Sequence, residues 1–300
     1  MTAALKAPGV TLSATELIAL RQVALRPLDE PVLAALPGGF AIRRKGHGQE
    51  VADVREYVAG DDIRHLDKGT TARTGALHVR QFHEERDRVS LLVADFRPSM
   101  LWGISRAFRS VAAAEALCLI GWRIVVEGGR VGLLAMLPDG QVVVAPRGRA
   151  RGMLDVIGGL ARAHDMALQS VIDGHSEDRT LDEALSRTER LVSAGAEVLI
   201  ASGFDHMGEG LADRLSSLAR RRVPRLIRVV DGATDNLPAG RYPIRLPDGR
   251  RIRVAMHDKS ATPPEMETIA GRPALLVNAG AEIVETARRL ATSLPSDRTP

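Results

Sequence analysis

Cysteine occurs once in the 300 residues, at Cys118, so no internal disulfide and no cysteine-built metal cluster can form. A reducing, cytoplasmic setting is expected. Aromatic residues make up only 3%, which makes the core aliphatic and removes the exposed stacking platforms that single-stranded nucleic acid needs. Lysine appears only at positions 6, 45, 68 and 259, and no Gly-x-x-x-x-Gly-Lys-Ser/Thr run surrounds any of them, so ATP hydrolysis through a Walker loop is excluded. Long apolar runs are missing as well. The opening MTAALKAPGVTL has no continuous apolar stretch of the kind a secretory leader carries, and the most apolar stretch, 111–126, is interrupted by Glu115 and Arg123. Membrane insertion is not expected.

What is present suits one large or two small globular domains: 45% of residues are hydrophobic and 26% are charged. The pI of about 9.7 points towards acidic partners, yet the net charge is only +4 and the arginines are spread along the chain rather than gathered in one patch. No specific nucleic-acid site follows from that pattern.

The chain divides by composition into four stretches. Residues 1–37 hold a capping box, Ser13 to Glu16, before a first helix near 14–25, then a proline-rich lead. Residues 38–87 are polar, mixed in charge and without helical period, and are expected to form short strands and turns. Residues 88–294 change character. Apolar runs at 89, 197 and 225 have the length of strands covered on both faces, and helical patterns separate them. Alternating strands and helices predict an α/β fold with a doubly wound, mostly parallel sheet, to which the 38–87 stretch is a small β-rich appendage. Pro-Asp-Gly turns at 138–140 and 247–249 predict hairpins, helices are expected near 105–127, 149–164 and from Thr180, and a last helix closes the unit. Residues 295–300 read as a tail.

In an open α/β sheet, ligands sit at the carboxyl ends of strands where the strand order reverses. The first core strand ends in Asp95, with Ser99 four residues on, a carboxylate and a hydroxyl that could share a hard cation such as Mg²⁺. The alternative for both is to satisfy backbone donors at a strand end. Ahead of that strand, Tyr57, Asp61, Asp62, Arg64, Asp67 and Arg73 surround Gly60, a pattern for a tight turn held by crossing ion pairs. It reads as a structural clamp or a docking surface.

The run from Gly48 to Met100 resembles the prokaryotic family termed domain of unknown function 58. The resemblance rests on Gly48 with Glu50-Val51, Arg55-Glu56-Tyr57, Gly60-Asp61-Asp62 with Arg64, Leu66-Asp67-Lys68, Ala72-Arg73, and the strand ending Asp95 to Met100. It implies a von Willebrand factor A-like core, action beside a MoxR-type AAA ATPase on client proteins, and no established catalytic activity. It also implies a metal-ion-dependent adhesion site of the form Asp-x-Ser-x-Ser plus a threonine and an aspartate. In this chain those positions are Asp95, Arg97 in place of the middle serine, Ser99, Thr180, and Ser202 where an aspartate is usual, with Asp205 nearby. The altered positions make the site degenerate, so no cofactor is expected. Thr180 also sits in a helix-capping box with Glu183, which explains its hydroxyl without a metal.

A non-catalytic adaptor is the expected function. A Mg²⁺-dependent hydrolase at the Asp95 strand end is the alternative among enzymes, although no nucleophile elbow or His-Glu-x-x-His run is present. A non-specific nucleic-acid binder is the alternative among binding proteins. The histidines at 65, 78, 83 and 164 share no ligand spacing and are expected at surface or packing positions. At the C-terminal end of the helix LADRLSSLARR, Arg220-Arg221-Arg222 reads as a solvated helix end, where cations complement the dipole.

Overall fold

The structure, a computed structural model, describes residues 7–26, 45–58, 61–83, 88–175, 177–186, 188–234, 237–245, 250–256 and 266–293. These form two units, residues 45–83 and residues 7–26 with 88–293. The proline-rich lead, Gly60, the 247–249 turn and the tail lie outside the described residues.

In chain order the elements begin with α1 (Ala14–Ala24), β1 (Lys45–Glu56), α2 (Lys68–Thr74), β2 (His78–His83), β3 (Val89–Asp95) and α3 (Arg109–Val126). Next come β4 (Arg130–Leu137), β5 (Gly140–Gly148), α4 (Arg149–Ile172), α5 (Leu181–Ala184), α6 (Thr188–Leu191), β6 (Glu197–Ser202), α7 (Leu211–Ala219) and β7 (Val223–Val230). The chain continues through β8 (Gly240–Arg245), β9 (Arg251–Met256), β10 (Met266–Ile269), β11 (Arg272–Asn278) and α8 (Ile283–Ser293).

In the smaller unit, β1 and β2 pair antiparallel, and the connection between them holds α2. Asp67 caps α2 by accepting from the Thr70 N–H at 2.7 Å, and Gly75 closes it at φ +76°, a left-handed position that glycine adopts without penalty.

The larger unit is built on a seven-stranded sheet in the order β10-β11-β7-β6-β3-β4-β5. The five inner strands run parallel, and the two edge strands are antiparallel. The apolar runs at 89, 197 and 225 are thus neighbouring strands of one sheet. From Ser90 to Asp95 every residue of β3 is buried, because helices cover both faces. On one face α3 packs with α1, α4 and α8, and on the other Leu181, Leu185, Val192, Leu211, Leu215 and Leu218 bring α5 to α7 against the sheet. A helix apolar around most of its circumference belongs inside a protein, and α3 exposes only its Glu115, Arg123 and Val126 positions to any degree. Each fully buried Leu or Ile contributes on the order of 1.5–3 kcal/mol.

The N-terminal helix packs into this core through Leu17, Leu20 and Ala24. The Trp122 indole N–H on α3 donates to the Leu17 carbonyl at 3.2 Å, and the Phe108 N–H donates to the Gly9 carbonyl at 2.8 Å. Gly9 has φ +78°, and a Cβ there would lie 2.1 Å from the Arg106 carbonyl oxygen. Close backbone approach fixes that residue type.

Several boundaries differ from the sequence expectation. Helix α3 starts at Arg109, not Ser105, because residues 101–108 instead form a loop tied down by Asp231, which accepts from the Ile104 N–H at 2.5 Å. Helix α4 continues to Ile172 and stops before Gly174, at φ +96°. The helix expected from Thr180 breaks into two four-residue turns, α5 and α6. Strand β11 pairs parallel to β7, which carries the sheet past residue 235.

Candidate functional site

The order of the sheet reverses beside β3: the chain runs from β3 outward to β4 and β5, then returns to lay β6, β7 and β11 on the other side. The switch point is therefore the crevice at the carboxyl ends of β3 and β6, whose last residues are Asp95 and Ser202. Parallel pairing of Ala94 with Ala201 brings these two ends side by side.

Asp95 accepts four hydrogen bonds. Its Oδ1 takes the Arg97 backbone N–H at 3.1 Å and Nε at 2.9 Å, and its Oδ2 takes Arg97 Nη2 at 2.8 Å and the Ser202 hydroxyl at 2.6 Å. A carboxylate offers about four lone-pair sites, so this one is saturated. The Asp95 and Arg97 side chains are 0% and 1% exposed. The remaining Arg97 nitrogen, Nη1, donates to the carbonyl of Arg179 and to that of His206 at 3.3 Å, and lies 3.8 Å from Asp178 Oδ1. Burial disfavours the Arg97 cation, but Asp95, with Asp178 and Asp205 further off, outweighs it and holds the guanidinium above its ordinary pKa. The guanidinium fastens three segments together: the end of β3, the loop before Thr180 and the loop after β6.

Ser202 has a second task. Its oxygen accepts the Phe204 N–H at 3.0 Å while its proton goes to Asp95, and Phe204 holds φ +56° in that turn. A bulky residue at positive φ is held there by surrounding contacts.

A second arginine lies in the same crevice. Arg109, at the start of α3 and 5% exposed, donates from Nε to the Val229 carbonyl at 2.9 Å and from Nη1 to the Ser99 carbonyl at 3.4 Å. Its Nη2 meets Asp205 at 2.8 Å, and its guanidinium lies 5.3 Å from the Trp102 ring centroid, within cation–π range. Gly203 makes room: a Cβ there would be 1.6 Å from Arg109 Nη2.

In the smaller unit the charged run is used mainly for turns. Arg55 binds Asp61 at two points, 2.7 and 2.6 Å, and Asp61 also accepts the Val58 N–H at 2.9 Å. The Arg55 contact, then the Val58 bond, hold the Asp61 carboxyl below its usual value. Asp62 caps the turn Ile63–His65 by accepting from the Arg64 N–H at 2.9 Å. Where crossing ion pairs were expected, a bidentate Arg55–Asp61 pair and aspartate caps at Asp62 and Asp67 hold these turns. The Arg55 backbone pairs with Val79 on β2, and the Arg55 guanidinium also donates to the Glu56 carbonyl at 2.9 Å. The Tyr57 N–H donates to the Leu77 carbonyl at 2.8 Å.

Residues 53–263 match the family described as Protein of unknown function DUF58. The chain belongs to that family. Its similar relatives include uncharacterized proteins of Mycobacterium bovis and of two strains of Mycobacterium tuberculosis, each 35% identical over 89 residues. That stretch is 30% of this chain and 28% of each relative's length.

The metal-ion-dependent adhesion site implied by the DUF58 resemblance does not fit the residues present. Asp95, Arg97 and Ser202 come together, but the cationic group on Asp95 is the Arg97 guanidinium. The Ser99 hydroxyl, in the turn Pro98–Met100, is buried and makes no hydrogen bond to Asp95. Thr180 caps α5, accepting the Glu183 N–H at 3.4 Å. Asp205 is committed to Arg109. Among the described residues no three His, Cys, Asp or Glu side chains converge as a metal-ligand set.

Sequence reasoning missed Arg109, Asp178 and His206. Arg109 had a legible signal, a charge on the face of α3 that otherwise enters the core; Asp178 and His206 sit in loops with no period to read. Asp178 has both carboxylate oxygens buried without a hydrogen bond from the described residues, and His206 Nε2 lies 3.8 Å away. The buried pair Ser110 and His164 also stands apart. The hydroxyl lies 2.9 Å from His164 Nε2, both residues are fully buried, and Phe96 meets the imidazole edge-on at 5.1 Å. Burial pushes His164 down to about 4, so the ring is neutral near pH 7. A serine and histidine sealed in this way lack the substrate access that nucleophilic catalysis requires.

Proposed function

We propose that this chain is a non-catalytic interaction module of von Willebrand factor A-like type that acts in the cytoplasm beside a MoxR-type AAA ATPase and a client protein. One observation carries the reading. At the switch-point crevice Asp95, Arg97, Arg109 and Asp205 are spent on internal contacts, while the surrounding loops expose apolar side chains: Trp102 and Ile104 after β3, and Met207 after β6. Apolar anchors over a polar, fixed base suit recognition of another protein, with aromatic and Met side chains as the usual contributors. The resemblance of residues 48–100 to DUF58 proteins supports the choice of ATPase.

The test uses the purified chain and the MoxR-type ATPase of the same genome, without nucleotide and with ADP or ATP. Co-elution is expected, tightest in one nucleotide state, and Trp102→Ser combined with Met207→Ser weakens it by about tenfold or more. ATP turnover by the chain alone is expected to be absent. Recovery of nucleic acid with no ATPase, at an affinity that collapses with salt, would replace this reading with a non-specific binder.

A further inference from the structure

We infer that Arg97 is a built-in cation: its guanidinium takes the place of a divalent metal at the β3/β6 switch point and makes that site independent of metal. This role of Arg97 is independent of which protein the module binds.

A cation at a strand-end crevice does two things. It neutralises the carboxylate that the strand presents, and it draws the neighbouring loops onto one centre. Arg97 does both. Nε and Nη2 cover both oxygens of Asp95 at 2.9 and 2.8 Å, and Nη1 reaches the Arg179 and His206 carbonyls on two separate loops. A guanidinium suits this role because its charge is permanent and its planar fork matches a carboxylate edge. The four acceptor sites of Asp95 are already filled by Arg97 and Ser202, so an incoming metal ion finds no free lone pair there. Nor does it find a way in, since the Asp95 side chain has no solvent exposure. A resident positive charge repels it as well. Neighbouring oxygens are those a cation could use if the guanidinium were gone: the Asp178 carboxylate, 3.8 Å from Nη1, and the carbonyls of Arg179 and His206.

The consequence is a site locked in one state. Where a metal site switches with ion binding, this one has its ion tethered two residues from its counter-charge, and loop positions at the crevice do not respond to Mg²⁺.

Thermal unfolding with and without millimolar MgCl₂ or MnCl₂ tests the inference. The parent protein is expected to show no change. Arg97→Ser, which removes the guanidinium and supplies a hydroxyl, is expected to melt lower without metal and to recover by roughly 5 °C at about a hundredfold excess of metal over its Kd. Adding Asp95→Asn to that variant abolishes the response. A parent protein stabilised by metal, or an Arg97→Ser variant that folds and ignores it, overturns the inference. If Arg97→Ser does not fold in metal-free buffer, its circular dichroism on adding MgCl₂ decides: recovery supports the inference. Failure to recover, together with an Arg97→Lys variant that gains stability from Mg²⁺, contradicts it.

Discussion

Arg97 and Asp95 meet at two points, Nε to Oδ1 at 2.9 Å and Nη2 to Oδ2 at 2.8 Å, with both side chains sealed from solvent. Burying an ion pair carries a desolvation cost that the attraction offsets only with good geometry, so such a pair fixes position more than it adds net stability. Removing one partner is another matter. Arg97→Ala is expected to destabilise the protein by about 3–5 kcal/mol, because it leaves Asp95 buried with an uncompensated charge. In Arg97→Met with Asp95→Asn the loss is expected to fall short of the sum of the single losses by ~1 kcal/mol or more, measured by urea unfolding. Additive losses would show that the two side chains do not act as a pair.

His164 sets an acid limit. In the folded state burial pushes it down to about 4, whereas an exposed histidine titrates near 6.5. Between those values the unfolded chain binds a proton that the folded chain does not. Stability is therefore complete above about pH 6.5 and is lost progressively on the way down to about pH 4, by up to ~3 kcal/mol from this one group. His164→Gln, which keeps an amide for Ser110, is expected to flatten that part of the stability profile. An unchanged slope from pH 6.5 to 4 would mean that His164 titrates normally in the folded protein.

Glu197 acts lower on the pH scale. Burial pushes its carboxyl up, but Arg88, Arg225 and the Ser90 hydroxyl prevail and hold it below the ordinary glutamate value. Its contribution is present above that ordinary value and disappears as pH falls through the lower, folded one. As the pH falls below the ordinary glutamate value, the parent is expected to lose more stability than Glu197→Gln does, the variant being less stable at pH 7. Equal losses in both proteins would remove Glu197 from the account.

Burial pushes the Cys118 thiol up, and Glu115 adds in the same direction. Because the thiolate is the reactive form, a thiol reagent at pH 8 is expected to label Cys118 only as the protein unfolds. Rapid labelling of the native protein contradicts its place inside α3.

Much of the fold could be read from the chain because it rests on periodicity. Strands β3 and β6 are covered on both faces and show as continuous apolar runs, β7 shows as a shorter one broken by Arg225 and Arg228, and the Pro138-Asp139-Gly140 turn joins β4 to β5 as its residues dictate. Strand β11 escaped because its apolar run, Ala274 to Val277, is short and its partner β7 is distant in sequence. The end of α5 at Ala184 escaped because the apolar spacing suits one helix or two turns equally. For the site, Asp95 and Arg97 were legible from their place at a strand end. Arg109 showed only as a charge on an apolar helix face; its partners, the Val229 and Ser99 carbonyls and Asp205, come from three separate stretches of chain that only the fold unites.

The most direct test is crystallographic. Crystals of the parent protein soaked in MnCl₂ and measured at a wavelength where manganese scatters anomalously will show whether metal reaches Asp95. The expected density has the Arg97 guanidinium in contact with both Asp95 oxygens and no anomalous peak beside them. A manganese peak bound to Asp95, with Arg97 turned away, would contradict it.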